Sequence, residues 1–140
     1  MATNLSRTLE QLEATRWPDP PADSTPLVLK CHALRRVPVE QLSAGGLRTL
    51  IGQGIAVRIL LPLAIEMLRR DPVLEADYYP GDLLVAVMRT PVTELQTVPG
   101  AMDTLHTLAS VAKSRIAGSE SGASRQLLKD IHAFEATSAA

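Results

Sequence analysis

Aromatic side chains are scarce in this chain of 140 residues, which contains one Trp, two Tyr and one Phe. Proteins that hold single-stranded nucleic acid stack its bases on aromatic rings, so this scarcity argues against a stacking platform. An excess of one charge is lacking too, because 14 basic and 15 acidic side chains leave a net charge of −1. Binding to a phosphate backbone needs a basic surface, and we therefore expect no nucleic-acid partner.

Cysteine is almost absent, since Cys31 is the only one in the sequence. A lone cysteine excludes a disulfide framework within the chain. Such frameworks are typical of small secreted domains. The first 17 residues (MATNLSRTLEQLEATRW) also lack the apolar segment of a secretory signal. We therefore expect a cytoplasmic protein.

A long uncharged hydrophobic run is missing as well. The most apolar stretch, 50–68, carries Arg58 near its middle, where a charge would cost at least ~2.5 kcal/mol in a bilayer. We therefore expect this stretch to belong to a buried core and not to span a membrane. With 46% apolar and 21% charged residues, the composition and length predict one globular domain over residues 1–140.

The sequence does contain apolar residues at helical spacing, which predict an all-α fold. The segments with this spacing are 4–16, 26–36, 43–51, 55–70, 83–89, 101–116 and 124–134. We predict a single-domain compact bundle of about six to seven helices. Its parts are an N-terminal helix with a proline-rich connector (1–26), a middle part (27–90) and C-terminal helices (91–140).

The segment 55–70 is predicted to lie at the centre of this bundle. Apolar residues cover most of its circumference, and a helix of that kind is surrounded by other helices. The segment 26–36 is less distinct, because the alternation of apolar residues over 27–33 also fits a strand. Residues 92–99 show no clear period and predict a single turn at most.

Helix boundaries follow from capping and turn residues. Ser43, Asp82 and Ser124 each precede an apolar helical run, where their short polar side chains are expected to act as N-caps. Gly52 and Gly54 predict a tight turn between two helices.

No constellation of residues predicts catalysis or metal binding. The three histidines, His32, His106 and His132, lie on different predicted helices and lack the i, i+4 spacing of a helical zinc site. Cys31 and His32 are neighbours, which point about 100° apart on a helix and do not meet as nucleophile and base. We therefore predict no enzyme activity, metal or cofactor. An enzyme would need groups such as Glu66, His32 and Asp82 to converge in one pocket.

The segment 66–82 is locally acidic, with five acidic and two basic side chains. Its Pro80-Gly81 pair predicts a bend in which the tyrosine rings pack on the core. The same segment also suits a contact patch, because tyrosine is enriched at interfaces and acidic groups steer a basic partner. The candidate partner-binding residues are Glu75, Asp77, Tyr78 and Tyr79.

Four runs of the middle part form a further pattern: 31–36 (CHALRR), 47–57 (LRTLIGQGIAV), 61–68 (LPLAIEML) and 71–87 (DPVLEADYYPGDLLVAV). Together they resemble the immunity proteins of bacterial contact-dependent growth inhibition systems. The resemblance covers about residues 27–90, and the YPGD run is its most specific part. The sequence departs from the family pattern at Gly45 and Gly46, where acidic residues are expected in the first turn of a helix.

This resemblance implies a helical cytoplasmic protein that binds and neutralises a toxin domain delivered by a neighbouring cell, without catalysis of its own. The implied partner is the cognate toxin domain, and some toxins of this class are small ribonucleases. A basic nuclease would suit the acidic segment 66–82. The alternative function is that of a helical adaptor or regulatory subunit with an unrelated protein partner. The sequence leaves the oligomeric state open.

Overall fold

The computed structural model describes residues 5–138 of the chain. Over this range the backbone forms eight α-helices and a short 3-10 turn, Val39–Gln41, with no β-strand. The all-α prediction is therefore confirmed. In chain order the helices are α1 (Leu9–Leu12), α2 (Pro26–Leu34), α3 (Ala44–Gly52), α4 (Val57–Arg70), α5 (Asp82–Met88), α6 (Val92–Leu95), α7 (Ala101–Ile116) and α8 (Gly122–Ser138).

The N-terminal helix is much shorter than the predicted segment 4–16, whose first residue lies outside the described range. Only α1 is helical, and it begins with a capping box in which the Thr8 and Gln11 side chains accept from each other's backbone N–H. The helix stops because Ala14 adopts a left-handed backbone conformation with φ of 52°. A single apolar stripe therefore predicted more helix than the chain forms.

Helix α2 settles the ambiguity between helix and strand over 27–33 in favour of the helix. The Thr25 hydroxyl accepts a hydrogen bond from the Val28 N–H at 3.3 Å, and Pro26 occupies the first turn, where its missing N–H is not needed. Ser43 caps α3 as predicted, since its hydroxyl accepts from the Gly46 N–H at 3.1 Å.

Helices α3 and α4 are joined by the predicted glycine turn. Gly54 has φ of 71°, and Ala56 after it is also left-handed with φ of 52°, so α4 begins two residues later than expected. The helix runs through Pro62, which is exposed on the same stripe as Arg58 and Glu66. Pro62 has no N–H to donate to the Arg58 carbonyl. Because this part of the helix faces solvent, water can donate to that carbonyl instead.

The core is a single cluster of buried apolar side chains to which all eight helices contribute. Helix α4 buries one face and packs against α3, α5, α6 and α7. Helix α5 is buried more completely and packs against α3, α4 and α8. Its buried apolar side chains are Leu83, Leu84, Val85, Val87 and Met88. Each contributes about 1.5–3 kcal/mol on leaving water.

The C-terminal helices close the bundle. Helix α7 has the predicted bounds, whereas α8 begins earlier than expected. Ser121 and not Ser124 caps α8, because the Ser121 hydroxyl accepts from the Ser124 N–H at 3.0 Å. Between 5 and 138, no helix combines the length and apolar character needed to cross a bilayer.

Candidate functional site

The segment from Glu75 to Gly81, called here the 75–81 loop, is organised by one buried carboxylate. Asp82 is only 3% exposed. Its Oδ1 accepts from the Ala76 N–H at 2.7 Å, and its Oδ2 accepts from the N–H groups of Asp77 and Tyr78, both at 2.9 Å. The loop is therefore wrapped around the carboxylate.

The prediction that Asp82 is an N-cap is wrong. Helix α5 begins at Asp82 itself, and the residue before it is Gly81, with φ of 92°. The side chain of Asp82 turns away from the helix because three N–H groups of the preceding loop point at it. A carboxylate in the first helical turn still opposes the positive end of the helix dipole.

Two opposing influences act on the pKa of Asp82. Burial raises this pKa, but the hydrogen bonds from three backbone N–H groups and the nearby Arg48 charge outweigh burial. The pKa is therefore lowered below 3.8, the ordinary value for aspartate. The carboxylate stays ionised at neutral pH, which keeps all of its acceptor sites available to the loop.

The end of the loop is fixed against α8. A Cβ placed on Gly81 would lie 2.6 Å from Leu127 Cδ2, and the positive φ of Gly81 also disfavours any larger residue. Leu127 is fully buried. Glycine is therefore required here for two independent reasons.

Arg48 of α3 joins the loop to the bundle. Its Nε donates to Asp77 Oδ2 at 3.1 Å and lies 3.9 Å from Asp82 Oδ2. Its guanidinium also lies 4.6 Å from the centre of the Tyr78 ring, a cation–π arrangement. One arginine from a distant part of the sequence thus holds a carboxylate and an aromatic ring of the loop.

The close approach of Asp77 to α3 explains one of the two glycines that depart from the family pattern. A Cβ on Gly45 would lie 2.9 Å from Asp77 Cγ. The Asp77 carboxylate thus occupies the space beside the first turn of α3. An acidic group stands near this helix terminus after all, supplied by the loop and not by the helix.

The two tyrosines have different surroundings. Tyr78 is 71% exposed, so the prediction that both rings pack on the core is wrong for Tyr78. Tyr79 is half-buried and packs against the core. Burial and the nearby Asp130 carboxylate raise the pKa of Tyr79. Glu75 is exposed, and its backbone pairs with Pro80 in an isolated β-bridge that closes the loop.

Beside the loop lies a groove of about 590 Å³ between α3, α5 and α6. Tyr79 and Asp82 line it, together with Arg48 and Gly52 of α3, Arg89 at the end of α5 and Glu94 of α6. Arg89 donates to Asp130 Oδ1 of α8, from Nη2 at 2.9 Å and from Nε at 3.3 Å. No sequence pattern indicated a role for Arg48 or Arg89.

The other candidates from the sequence do not come together. Asp82 lines the groove, whereas Glu66 and His32 do not. Glu66 pairs with Arg69 on the exposed side of α4, and His32 packs edge-on against Trp17 at 5.0 Å. Among the described residues, no three His, Cys, Asp or Glu side chains are grouped to hold a metal ion. Cys31 is buried, and burial raises the pKa of its thiol.

These features define the class of protein. It is a small helical bundle with a surface loop that is held by a buried carboxylate and carries an exposed aromatic ring. The family model for CDI immunity proteins, where CDI stands for contact-dependent growth inhibition, matches residues 11–105, and the chain belongs to this family. No curated protein and no solved structure matches the chain. The matched range includes the whole 75–81 loop and the groove, and it ends inside α7.

Proposed function

We propose that this protein binds the toxin domain of its own growth inhibition system and neutralises it through the 75–81 loop. The observation that carries the proposal is the 71% exposure of Tyr78 on a loop whose backbone is fixed by Asp82. Tyrosine is frequent among the residues that dominate binding energy at interfaces. Membership of the CDI immunity family supplies the class of partner.

Order in the free protein favours tight binding. An interface loses free energy when mobile side chains and loops must be ordered on association. Here three backbone N–H groups are already bonded to Asp82, and the Tyr78 ring already lies against Arg48. Little of that ordering remains to be done when a partner arrives.

The two acids of the loop have different roles in this proposal. Asp77 is engaged by Arg48 and lies against Gly45, so its contribution is to hold the loop. Glu75 is exposed and is the acid that a partner meets first. A negative charge in that position raises the association rate of a basic partner, such as a small ribonuclease. Tyr79 packs against the core, which anchors the loop, and it also lines the neighbouring groove.

Co-expression with the toxin domain encoded beside the gene tests the proposal. The wild-type chain is expected to form a stable complex and to restore growth, whereas Tyr78→Ala should weaken binding by about 30-fold or more, the level of a hot spot. Tyr78→Phe keeps the ring and should bind nearly as well as the wild type. A wild-type chain that neither binds nor protects would refute the proposal and favour the adaptor alternative.

The steering role of Glu75 has its own test. Glu75→Lys should slow association most strongly at low salt, because screening weakens the interaction between exposed charges. Glu120→Lys is the matched control, since Glu120 is also exposed and lies in the connector before α8. Equal association rates for the two variants would show that Glu75 does not face the toxin.

A further inference from the structure

We infer that the groove between α3, α5 and α6 receives a carboxylate-bearing segment of the toxin domain. This inference rests on the proposed function and adds to it a second contact of defined chemistry. Tyr79 belongs to the 75–81 loop and lines the groove. Arg48 also lines the groove, and it contacts Tyr78 of the loop. A partner seated on Tyr78 therefore extends naturally over the groove.

The first observation is a glycine that the fold does not need. Gly52 is the last residue of α3, its φ is not positive, and a Cβ there would meet no atom within 4 Å. Glycine in a helix is less favourable than alanine by about 1 kcal/mol. The fold requires no glycine at position 52. What the missing side chain provides is an open edge of the groove, where a partner backbone can approach closely.

The second observation is the arrangement of charge around the groove. Arg89 is 64% exposed, while the side chain of its partner Asp130 is only 12% exposed. Arg48 is 23% exposed and lies 3.9 Å from Asp82 Oδ2, whose side chain is 2% exposed; Asp77, which Arg48 also contacts, does not line the groove. In the pairs Arg89–Asp130 and Arg48–Asp82 the guanidinium group is therefore more exposed than the carboxylate.

The third observation is that the N–H donors of these two arginines are not used up. Among the described residues, Arg48 donates only through Nε, to Asp77. Arg89 donates through Nε and Nη2 to a single oxygen of Asp130. An arginine carries five N–H donors in a planar fork. The remaining N–H groups match an incoming carboxylate, which accepts hydrogen bonds from arginine in pairs.

Glu94 is the one exposed acid of the groove, and it does not reverse this balance. Its side chain is 41% exposed and lies 3.8 Å from Arg58 Nε. A cation therefore accompanies the Glu94 carboxylate too. The partner side chain that complements the groove is acidic, whereas the neighbouring Glu75 surface complements a basic one.

Filling the groove edge is the first arm of the test. Gly52→Trp should raise the Kd for the purified toxin domain by about tenfold or more, with a melting temperature at least as high as that of the wild type. Gly122→Trp is the matched control, because Gly122 also has open space around its Cβ and no positive φ and does not line the groove. It should bind like the wild type.

Removing the charge is the second arm. Arg89→Gln should raise the Kd at least about fivefold and flatten its dependence on salt, while Arg125→Gln, an exposed arginine of α8 outside the groove, should change neither.

The possible outcomes separate the two proposals. If the wild type binds and Gly52→Trp binds equally well, the groove is not a contact, although the proposed function stands. If Gly52→Trp weakens binding and Arg89→Gln does not, the occupant is not a carboxylate and the inference fails. If the wild type does not bind the toxin domain at all, both proposals fail.

Discussion

Two irregular segments of this protein are each organised by one buried charge, and the two charges have opposite signs. The 75–81 loop is wrapped around the Asp82 carboxylate. The segment 13–17 after α1 is held by Arg35, which directly follows α2 and is 2% exposed. Arg35 pairs with the Glu13 carboxylate, donates to the Thr15 carbonyl at 2.7 Å, and lies 4.3 Å from the Trp17 ring centre.

The difference between them lies in how completely each charge is satisfied. Asp82 accepts three backbone hydrogen bonds and has Arg48 nearby. Arg35 keeps a buried Nε with no partner in the described part of the chain, and its main anion is a side chain that is one-third exposed. Asp82 is bonded to three consecutive backbone N–H groups of its loop, whereas Arg35 is bonded to a single backbone group of its segment, the Thr15 carbonyl. We therefore expect the 75–81 loop to be the more rigid segment.

The largest effect is expected from removing the Asp82 carboxylate. Asp82→Ala leaves three N–H groups without their acceptor, and it should lower the free energy of unfolding by about 3 kcal/mol or more. Urea unfolding measures this change. Asp103→Ala is the control, since Asp103 is exposed in the first turn of α7, and its effect should stay within about 0.5 kcal/mol. Equal effects of the two substitutions would contradict the role of Asp82.

The corresponding substitution in the other segment should be less harmful. Arg35→Gln breaks the pair with Glu13 and the stacking on Trp17, and it should destabilise the protein by about 2 kcal/mol. Because the partner Glu13 is partly exposed, water can solvate the carboxylate that is left. Toxin affinity should not change once the protein is folded. A loss of affinity as large as that of Tyr78→Ala would place segment 13–17 in the interface.

A smaller effect is expected at Gly45. Alanine favours a helix over glycine by about 1 kcal/mol, and Gly52→Ala should show this gain because its surroundings are open. Gly45→Ala should lose the gain, because the new Cβ meets the Asp77 carboxylate. In an Asp77→Ala background the two substitutions should become equivalent. If Gly45→Ala stabilises the wild type as much as Gly52→Ala does, Asp77 does not pack there.

The smallest effect is a dependence of stability on pH. The pKa of Asp82 is lowered in the folded state, so its carboxylate contributes stability that is complete above the unfolded pKa of about 4. That contribution is lost as the pH falls through the lower, folded value. Comparison with Asp82→Asn isolates it: the stability advantage of the wild type should be constant near pH 7 and should shrink below pH of about 4. An advantage that grows with acid would contradict the lowered pKa.

Helical spacing predicted the long helices because packing reinforces it there. The bounds of α7 follow directly from its apolar period. Helical spacing failed as a predictor for 4–16. There, one stripe of leucines does not extend the helix past the left-handed Ala14 and the prolines that follow. The prediction that Asp82 caps α5 failed because it considered only the N–H groups of the helix that follows. The carboxylate instead accepts from three N–H groups of the preceding loop.

The candidate site was predictable only in part. The loop residues are close in sequence, so composition alone brought Glu75, Asp77, Tyr78 and Tyr79 together. Their arginine partners gave no local signal, since Arg48 lies 29 residues from Asp77 and Arg89 lies 41 residues from Asp130. Contacts over that distance follow from how α3, α5 and α8 pack. Gly52 gave no sign either, because the sequence placed it in a tight turn with Gly54, whereas the structure makes it the last residue of α3.

Hydrogen exchange of the backbone amides, measured with and without the toxin domain, shows whether a preordered 75–81 loop and the groove form the toxin contact. The amides of the 75–81 loop that are bonded to Asp82 should already exchange slowly in the free protein. Binding should add protection there and at the groove residues 48–54, and none over 13–17. Protection that appears over 13–17 while residues 75–81 stay unchanged would show that the toxin binds the other segment and not the loop.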